Sequence, residues 1–215
     1  DQAYPKEFVD ALTKEGYLSA LIPEKFGGTS LPLSAGAAIL ETIHFSGCNA
    51  AACHAQMYTM GTLLRHGSEK QKAHYLPQIS RGELRLQAFG VTEPTSGTDT
   101  TSLQCTARKE GKKYIINGQK IWTSRAEHSD LLLLLARTTP RNMVTKKTDG
   151  LSVFLVDMRN LPTNSLTIRP IKTMMNHATT ELFFDEMPVP IENLIGEEGK
   201  GFKYILSGMN AERIL

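Results

Sequence analysis

The sequence predicts an α+β fold, in which an N-terminal all-α domain (residues 1–86) is followed by an antiparallel, barrel-like β-domain (residues 87–196). Apolar residues recur at helical spacing as far as about Glu83, whereas short apolar segments alternate with turn residues from Gln87 onward. The last segment, residues 197–215, returns to helical spacing. Because one helix cannot bury its apolar face alone, we interpret this segment as the first helix of a truncated C-terminal helical bundle, and the chain as a fragment.

The helical domain is predicted from apolar spacing and from capping signals. The segment PKEFVDALTKEG carries apolar residues on one helical face and ends at Gly16, a stop signal. The segment LSAGAAILETIHFSGCNAAACHAQMYTMGTLLRH is rich in Ala, Met and Leu, which predicts two buried helices with a break near Gly47. Ser68 is followed three residues later by Gln71, a capping-box signature that predicts the start of another helix.

The β-domain is predicted from apolar runs of strand length. The segment TARKEGKKYIINGQKIWTS predicts a hairpin that turns at Glu110-Gly111, with a second turn at Asn117-Gly118. The runs DLLLLLAR, GLSVFLVDM, LTIRPI and TELFFDEMPVP are separated by turn residues, and their spacing favours a compact antiparallel sheet or barrel. The polar segment TPRNMVTKKTDG between two of these runs predicts an exposed loop.

The composition is that of an ordinary globular protein, with 40% hydrophobic and 21% charged residues and a formal net charge of +2. Positive and negative side chains are interspersed, so the charge gives no reason to expect nucleic acid as a partner. The longest apolar run is too short to cross a bilayer, which argues against a membrane protein. The three cysteines do not make a disulfide framework and favour a reducing compartment, either the cytoplasm of a bacterium or a mitochondrial matrix.

Two weaker patterns suggest ion or phosphate binding and are better explained otherwise. Cys48, Cys53 and His54, with His44 nearby, match no zinc-ligand spacing, so we interpret them as core thiols and satisfied histidines and expect no metal. The segment GEEGKGF, from Gly196, places glycines and a lysine before a helix. Its spacing departs from a phosphate-binding loop, which argues against a nucleoside triphosphatase.

Two hydroxyl-rich segments are the best candidates for a binding site. Strand residues Phe89, Gly90 and Val91 run directly into a turn that contains Thr92. Trp122 is the only tryptophan and precedes two hydroxyl residues, although a core aromatic on a strand is the more common case. A flat aromatic ring beside hydroxyls and backbone amides suits a planar heterocycle. Because no basic cluster accompanies these segments, they favour a flavin over a phosphate group.

The terminal helix carries two charged residues close to its apolar side. At 100° per residue, Arg213 falls near the centre of the face formed by Phe202, Leu206 and Met209, with Glu212 at its edge. They could be surface charges or an interdomain ion pair. Alternatively, Glu212 could face a dry cavity as a catalytic base, since burial would raise its pKa toward the working pH.

Five motifs appear in the order IPEKFGG, HGSEKQKAHYLPQISRGE, GVTEPTSGTD, YIINGQKIWTS and FFDEMPVPIENLIGEEGKGF. In this order and spacing the chain resembles the acyl-CoA dehydrogenase family over essentially its whole length. The resemblance implies a helical N-terminal domain, a middle β-domain and a C-terminal four-helix domain. It also implies FAD as the cofactor, an acyl-CoA substrate, an electron-transfer flavoprotein as electron acceptor, and a homodimer or homotetramer.

The resemblance also assigns roles to individual residues. Trp122 would pack against the flavin ring, with Thr123 and Ser124 near its O4 and N5 side. Thr98 would lie beside the cofactor and hydrogen-bond the thioester arm of the ligand. Thr95-Ser96 stands where the family usually has Gly-Ala, which puts the loop conformation in doubt. The strand that lines the ring would consist of Phe89, Gly90, Val91 and Thr92.

In the minority of the family that resembles isovaleryl-CoA and long-chain acyl-CoA dehydrogenases, the catalytic base lies on this terminal helix, directly before an Arg. The resemblance therefore implies that Glu212 is the base and that Asn210 and Arg213 border the acyl cavity. A later helix could supply the base instead. The implied reaction is α,β-dehydrogenation of an acyl-CoA. An acyl-CoA oxidase, a flavin monooxygenase and a non-catalytic fragment remain alternatives, and we expect the fragment alone to bind FAD poorly and to be inactive.

Overall fold

The computed structural model describes residues 4–174 and 178–215 and confirms the α+β fold. A helical part precedes a β-sheet, and a last helix follows. The helices are α1 (Lys6–Lys14), α2 (Leu33–Phe45), α3 (Ala51–His66), α4 (Glu69–Ser80) and α5 (Gly201–Ile214). The strands are β1 (Leu86–Gly90), β2 (Thr106–Glu110), β3 (Lys113–Ser124), β4 (Leu131–Arg137), β5 (Leu151–Asp157), β6 (Leu166–Pro170), β7 (Thr179–Pro190) and β8 (Leu194–Ile195).

The start of α4 has the predicted capping box. The Gln71 backbone N–H donates to Ser68 Oγ at 3.2 Å, and the Ser68 N–H donates to Gln71 Oε1 at 2.8 Å. The Gln71 side-chain amide also donates to the backbone carbonyls of Glu192 and Leu194, at 2.7 and 2.8 Å. One side chain therefore satisfies the helix start and ties α4 to the end of the sheet.

The strands form one sheet in the order β6-β7-β3-β2-β4-β5-β8, with β1 paired to β4. Most neighbours are antiparallel, as predicted, and the hairpin from β2 to β3 turns at the predicted position. The pairs β1–β4 and β2–β4 are parallel, a detail that the strand lengths alone do not reveal. The segment predicted as an exposed loop connects β4 to β5.

The second predicted turn, at Asn117-Gly118, is wrong. Both residues lie inside β3, where the pairing with β7 shifts register between Ile116 and Gly118. Gly118 has a φ of 138°, and a Cβ on it would lie 2.7 Å from the Cα of Cys105. Glycine is therefore needed for close strand packing at an irregularity, which gives the same sequence signal as a turn.

The helical part and the sheet share one core. In this cluster, Leu63 of α3 and Leu76 of α4 pack with Leu133 of β4 and Val153 of β5. A second cluster lies on the other side of β4 and includes Leu132, Leu134, Phe154 and Leu182. The continuous apolar run of β4 is thus explained by burial of both of its faces.

Helix α5 turns only part of its predicted apolar face to the core, because Phe202 packs against the core whereas Leu206 is exposed. Its buried residues include Ile205, Gly208 and Ala211, and a Cβ at Gly208 would lie 2.5 Å from Thr62 Oγ1 of α3. Small residues allow the two helix backbones to approach, whereas the predicted stripe follows the large apolar side chains. Arg213 is exposed rather than central to a buried face.

The cysteines and their neighbours form no metal site among residues 4–174 and 178–215. Cys53 is buried, as predicted, and its pKa is raised to about 12 by burial. Cys48 is exposed, so its interpretation as a core thiol is wrong; it lies between α2 and α3, where the chain turns at the surface. Within the same residues, no helix is both long and apolar enough to cross a membrane.

Candidate functional site

The indole of Trp122 stands out from the end of β3. Its side chain is 57% exposed, and its φ of 62° lies in the left-handed region that non-glycine residues rarely adopt. The pairing of β3 with β7 shifts register between Lys120 and Thr123, so the strand bulges at this residue. A bulge re-aims a side chain, and here it turns the single tryptophan away from the core.

Thr92 lies directly beside this bulge. The Ile121 backbone N–H donates to the Thr92 carbonyl at 2.9 Å, which joins the segment after β1 to β3 one residue before Trp122. Thr92 and Val91 are half-buried, and Phe89 and Val91 pack against the core shared with the helices. The two hydroxyl-rich segments predicted to form one site are therefore adjacent.

Gly90 is buried, and its size is explained by packing inside the sheet. A Cβ there would lie 3.2 Å from Leu134 Cδ1 and 3.5 Å from Lys120 Cγ. The glycine makes room for the Leu134 side chain of β4. Its backbone remains a candidate contact for a ring.

The hydroxyls of Thr123 and Ser124 lie in different surroundings. Thr123 is 1% exposed, and its Oγ1 has no hydrogen-bond partner among the described residues. Buried polar atoms are nearly always paired, so an orphaned hydroxyl next to the exposed indole is consistent with a ligand that completes this region. Ser124 is half-buried.

A buried ion pair holds the loop after β1. Lys120 Nζ donates to Glu93 Oε1 at 2.7 Å and to the Val91 carbonyl at 3.0 Å, and the two side chains are 0% and 4% exposed. The Glu93 carboxylate also accepts the backbone N–H groups of Gln104 and Cys105, at 2.6 and 2.9 Å. Both charges thus have hydrogen-bond partners, as buried charges require.

The loop itself is closed by short-range hydrogen bonds. Ser96 Oγ donates to the Asp99 carbonyl at 2.7 Å, so the serine that departs from the usual family sequence is buried and takes part in the turn. Hydrogen bonds from Ser102 and Thr101 lower the pKa of Asp99 below its usual value. Thr98, at the tip, is exposed and accessible to a ligand.

Glu212 lies in a cluster of aromatic residues between α3 and α5. The His54 ring contacts the Glu212 carbonyl through Nε2 at 3.1 Å and has its centroid 5.1 Å from that of Tyr58. The Tyr58 ring meets Phe89 of β1 edge-on, with 5.9 Å between centroids. Burial, with a contribution from the Glu212 charge, raises the pKa of the Tyr58 hydroxyl to about 12. Glu212 is therefore connected to the strand predicted to line the ring.

The sequence interpretation missed several residues of this region. The sequence predicts a satisfied histidine at His54, which its hydrogen bond supports, but it does not predict that His54 lies beside the Glu212 backbone. Tyr58 lies one turn further along α3, and this i, i+4 polar pair was the available signal. The sequence predicts no role for Arg125. The predicted residues Asn210 and Arg213 are both exposed on α5.

Comparisons with known proteins agree with this arrangement. The family model of the acyl-CoA dehydrogenase N-terminal domain matches residues 1–83, and that of the acyl-CoA dehydrogenase middle domain matches residues 88–187. Together they account for nearly all of the helical part and the sheet. The chain belongs to the acyl-CoA dehydrogenase family.

Individual relatives extend this comparison. Cyclohex-1-ene-1-carbonyl-CoA dehydrogenase of Syntrophus aciditrophicus (strain SB) is 34% identical, over 100% of this chain and 51% of the relative. The prolyl acyl carrier protein oxidase AnaB superposes with a TM-score of 0.89 at 29% identity, over 99% of this chain and 56% of its own. A chain from a structure of the electron transferring flavoprotein of Acidaminococcus fermentans superposes with a TM-score of 0.89 at 29% identity, over 99% of this chain and 55% of its own. The chain thus spans about half the length of the relatives it matches.

Proposed function

We propose that the protein to which this chain belongs catalyses FAD-dependent α,β-dehydrogenation of an acyl-CoA to the 2-enoyl-CoA. The observation that carries the proposal is the exposed indole of Trp122, held at a positive φ beside Thr92 and next to the orphaned Thr123 hydroxyl. An exposed tryptophan in a strained backbone conformation has no evident role in stability, whereas it suits contact with a flat ring. Membership of the acyl-CoA dehydrogenase family supports FAD as that ring.

The residues around Trp122 fit a flavin. The backbone of residues 89–92 would lie along the ring, Thr92 and Ser124 would donate hydrogen bonds to its polar edge, and the indole would cover it. Thr123 is buried and its hydroxyl has no partner among the described residues, so it would offer this hydroxyl to the cofactor. When bound, the flavin supplies the hydride acceptor that the protein side chains lack.

Glu212 is proposed as the base that removes the α-proton of the thioester. It is half-buried and lies within electrostatic reach of the buried Tyr58 hydroxyl, so its surroundings are partly dry. Exclusion of water strengthens the electrostatic interactions of an ionised carboxylate and prevents a competing proton exchange with solvent. The exposed Thr98 would hydrogen-bond the thioester arm, and Asn210 and Arg213 would border the acyl cavity.

The whole protein is further proposed to be a homodimer or homotetramer that passes electrons to an electron-transfer flavoprotein. The likeness to a chain from a structure of such a flavoprotein supports this acceptor. We place the protein in a bacterial cytoplasm or a mitochondrial matrix. This placement is supported by three free cysteines, of which two are buried.

An oxidase is the second candidate function, because the chain superposes on the oxidase AnaB with a TM-score of 0.89. Oxygen uptake separates the two. We expect that acyl-CoA reduces the flavin of the whole protein under anaerobic conditions and that turnover requires an artificial or protein electron acceptor. Rapid oxygen consumption with acyl-CoA alone would favour the oxidase.

The role of Glu212 is tested by Glu212→Gln in the flavin-loaded whole protein. This change keeps the size of the side chain and removes its basicity. We expect loss of anaerobic flavin bleaching by a panel of acyl-CoAs, with flavin content retained. Bleaching at the rate of the unchanged protein would assign the base to another residue, and loss of flavin would show a structural role instead.

A further inference from the structure

Arg125 is a half-buried arginine whose guanidinium has no carboxylate partner among residues 4–174 and 178–215. Charged side chains that leave water are normally paired. By contrast, Arg85 nearby is paired with Asp10, and Arg137 donates to the carbonyls of Leu103 and Thr101. An arginine left without an acceptor among the described residues is available to a ligand.

The backbone of Arg125 is fixed in an unusual conformation. Its φ is 59°, and its N–H donates to the Ala178 carbonyl at 2.6 Å. A left-handed residue other than Gly or Asn is strained, and such strain is often found where a side chain must be aimed at a ligand. The strain is three residues beyond Trp122, so the same strand end presents both side chains.

Aromatic and polar groups surround the guanidinium. The Tyr58 hydroxyl lies within electrostatic reach of both Arg125 and Glu212, and the Tyr58 ring contacts Phe89. Tyr4 also lies within electrostatic reach of Arg125 and stacks on His128 with 3.9 Å between centroids, and the His128 backbone N–H donates to the Arg125 backbone carbonyl at 3.0 Å. Burial lowers the pKa of the Arg125 guanidinium and that of the His128 ring, and both Arg125 and Arg85 lie within electrostatic reach of His128.

We propose that Arg125 is a specificity-determining residue that binds an anionic group at the far end of the acyl chain, a carboxylate, with Tyr58 as a second donor. The proposal rests on the proposed function, because it places the acyl chain beside Glu212. The guanidinium offers a planar fork of donors that matches a carboxylate, and the desolvated surroundings strengthen the bond. The substrate class is thus an acyl-CoA whose acyl group ends in a carboxylate.

The test compares two CoA thioesters of equal carbon number, glutaryl-CoA and pentanoyl-CoA, by their dissociation constants from the flavin-loaded whole protein. We expect the unchanged protein to bind glutaryl-CoA more tightly. Arg125→Gln should reduce the ratio of the two affinities at least about tenfold, a difference of about 1.4 kcal/mol. Arg125→Lys should retain part of the preference, because it keeps the charge but not the fork.

Arg108→Gln is the matched control, since this exposed arginine of β2 pairs with Glu110 and Glu186 and its loss should leave the ratio unchanged. Arg125→Gly tests folding, because glycine adopts the same φ without strain and should keep the protein folded while abolishing the preference. Equal affinities in the unchanged protein would overturn the proposal. So would a loss of FAD in Arg125→Gln without a change in the ratio, which would assign Arg125 to the cofactor phosphates. Neither result alters the test of Glu212.

Discussion

At the scale of single residues, the buried pair of Lys120 and Glu93 connects three segments that are distant in sequence. Lys120 reaches from β3 to the end of β1, and Glu93 holds the backbone at Gln104 and Cys105. The loop that carries Thr98 is therefore positioned by a charge pair as well as by the apolar packing of Val91 and Leu103 at its two ends.

We predict that Lys120→Met lowers the free energy of unfolding by about 3–5 kcal/mol, because it leaves the Glu93 carboxylate buried without a counter-charge. The measurement is urea denaturation followed by circular dichroism. The double variant Lys120→Met/Glu93→Gln should be more stable than Lys120→Met alone. A cost below about 1 kcal/mol for the single variant would show that water reaches the carboxylate.

For Trp122 we predict a small effect on stability, in contrast to Lys120. Because the indole is 57% exposed, Trp122→Ala should change the free energy of unfolding by no more than about 1 kcal/mol. In the whole protein the same change should weaken FAD binding at least about tenfold, measured by equilibrium dialysis. Tyr17→Ala, which removes another exposed aromatic, should leave FAD binding unaltered. A large loss of stability in Trp122→Ala would assign the indole to the core.

The three thiols should differ in reactivity. Burial raises the pKa of Cys53 to about 12 and that of Cys105 to about 11, so both remain protonated at pH 8. Only the thiolate attacks a disulfide reagent, hence one fast-reacting thiol, the exposed Cys48, is expected in the folded protein and three in denaturant. Cys48→Ser should remove the fast phase. The persistence of that phase would place another thiol at the surface.

At the scale of secondary-structure elements, the sequence predicted those features that interactions between neighbouring residues determine. The capping box of Ser68 and Gln71 and the break between α2 and α3 were readable because short-range hydrogen bonds and spacing decide them. The buried face of α5 was only partly predictable from the sequence, because it depends on how closely Gly208 approaches α3. Hydropathy identifies large apolar residues but does not reveal a close helix–helix contact that small residues make possible.

The candidate site likewise has some parts that the sequence predicted and others that it did not. Trp122 and Thr92 were predicted from composition and from the resemblance of their motifs. The pairing of Lys120 with Glu93 and the proximity of Arg125 to Tyr58 were not predicted, because each joins residues far apart in sequence. A single sequence holds no local trace of such partners.

For α5 we predict that Gly208→Ala is destabilising, although alanine favours a helix by about 1 kcal/mol relative to glycine. The added Cβ would lie 2.5 Å from Thr62 Oγ1, and a β-branched side chain on α3 has little freedom to move. Thermal unfolding measures the effect. Adding Thr62→Ala should restore part of the loss, whereas a stabilised Gly208→Ala single variant would show that the helices separate easily.

At the scale of the whole molecule, the core joins the two sequence domains. The division at residues 86 and 87 remains a prediction about sequence organisation. The packing nevertheless crosses it, since Leu63 and Leu76 share a cluster with Leu133. Neither part buries this cluster alone.

We therefore predict a single cooperative unfolding transition for the 215 residues. Helical circular dichroism reports mainly on the helices, and the fluorescence of Trp122 reports on the sheet, and the two should give coincident curves. Leu133→Ala should shift both by the same amount, at a cost of about 2–5 kcal/mol. Separate midpoints for the two probes would show that the two parts unfold independently.

The left-handed backbone at Trp122 and Arg125 has a consequence for how this chain can change. Glycine at either position would relieve strain of about 1–2 kcal/mol and would cost little packing at the exposed indole. A library selected only for heat resistance should therefore accumulate glycine at both positions. A library selected for cofactor and substrate binding should keep the large side chains. Thermal stability and ligand binding therefore favour different residues at these two positions.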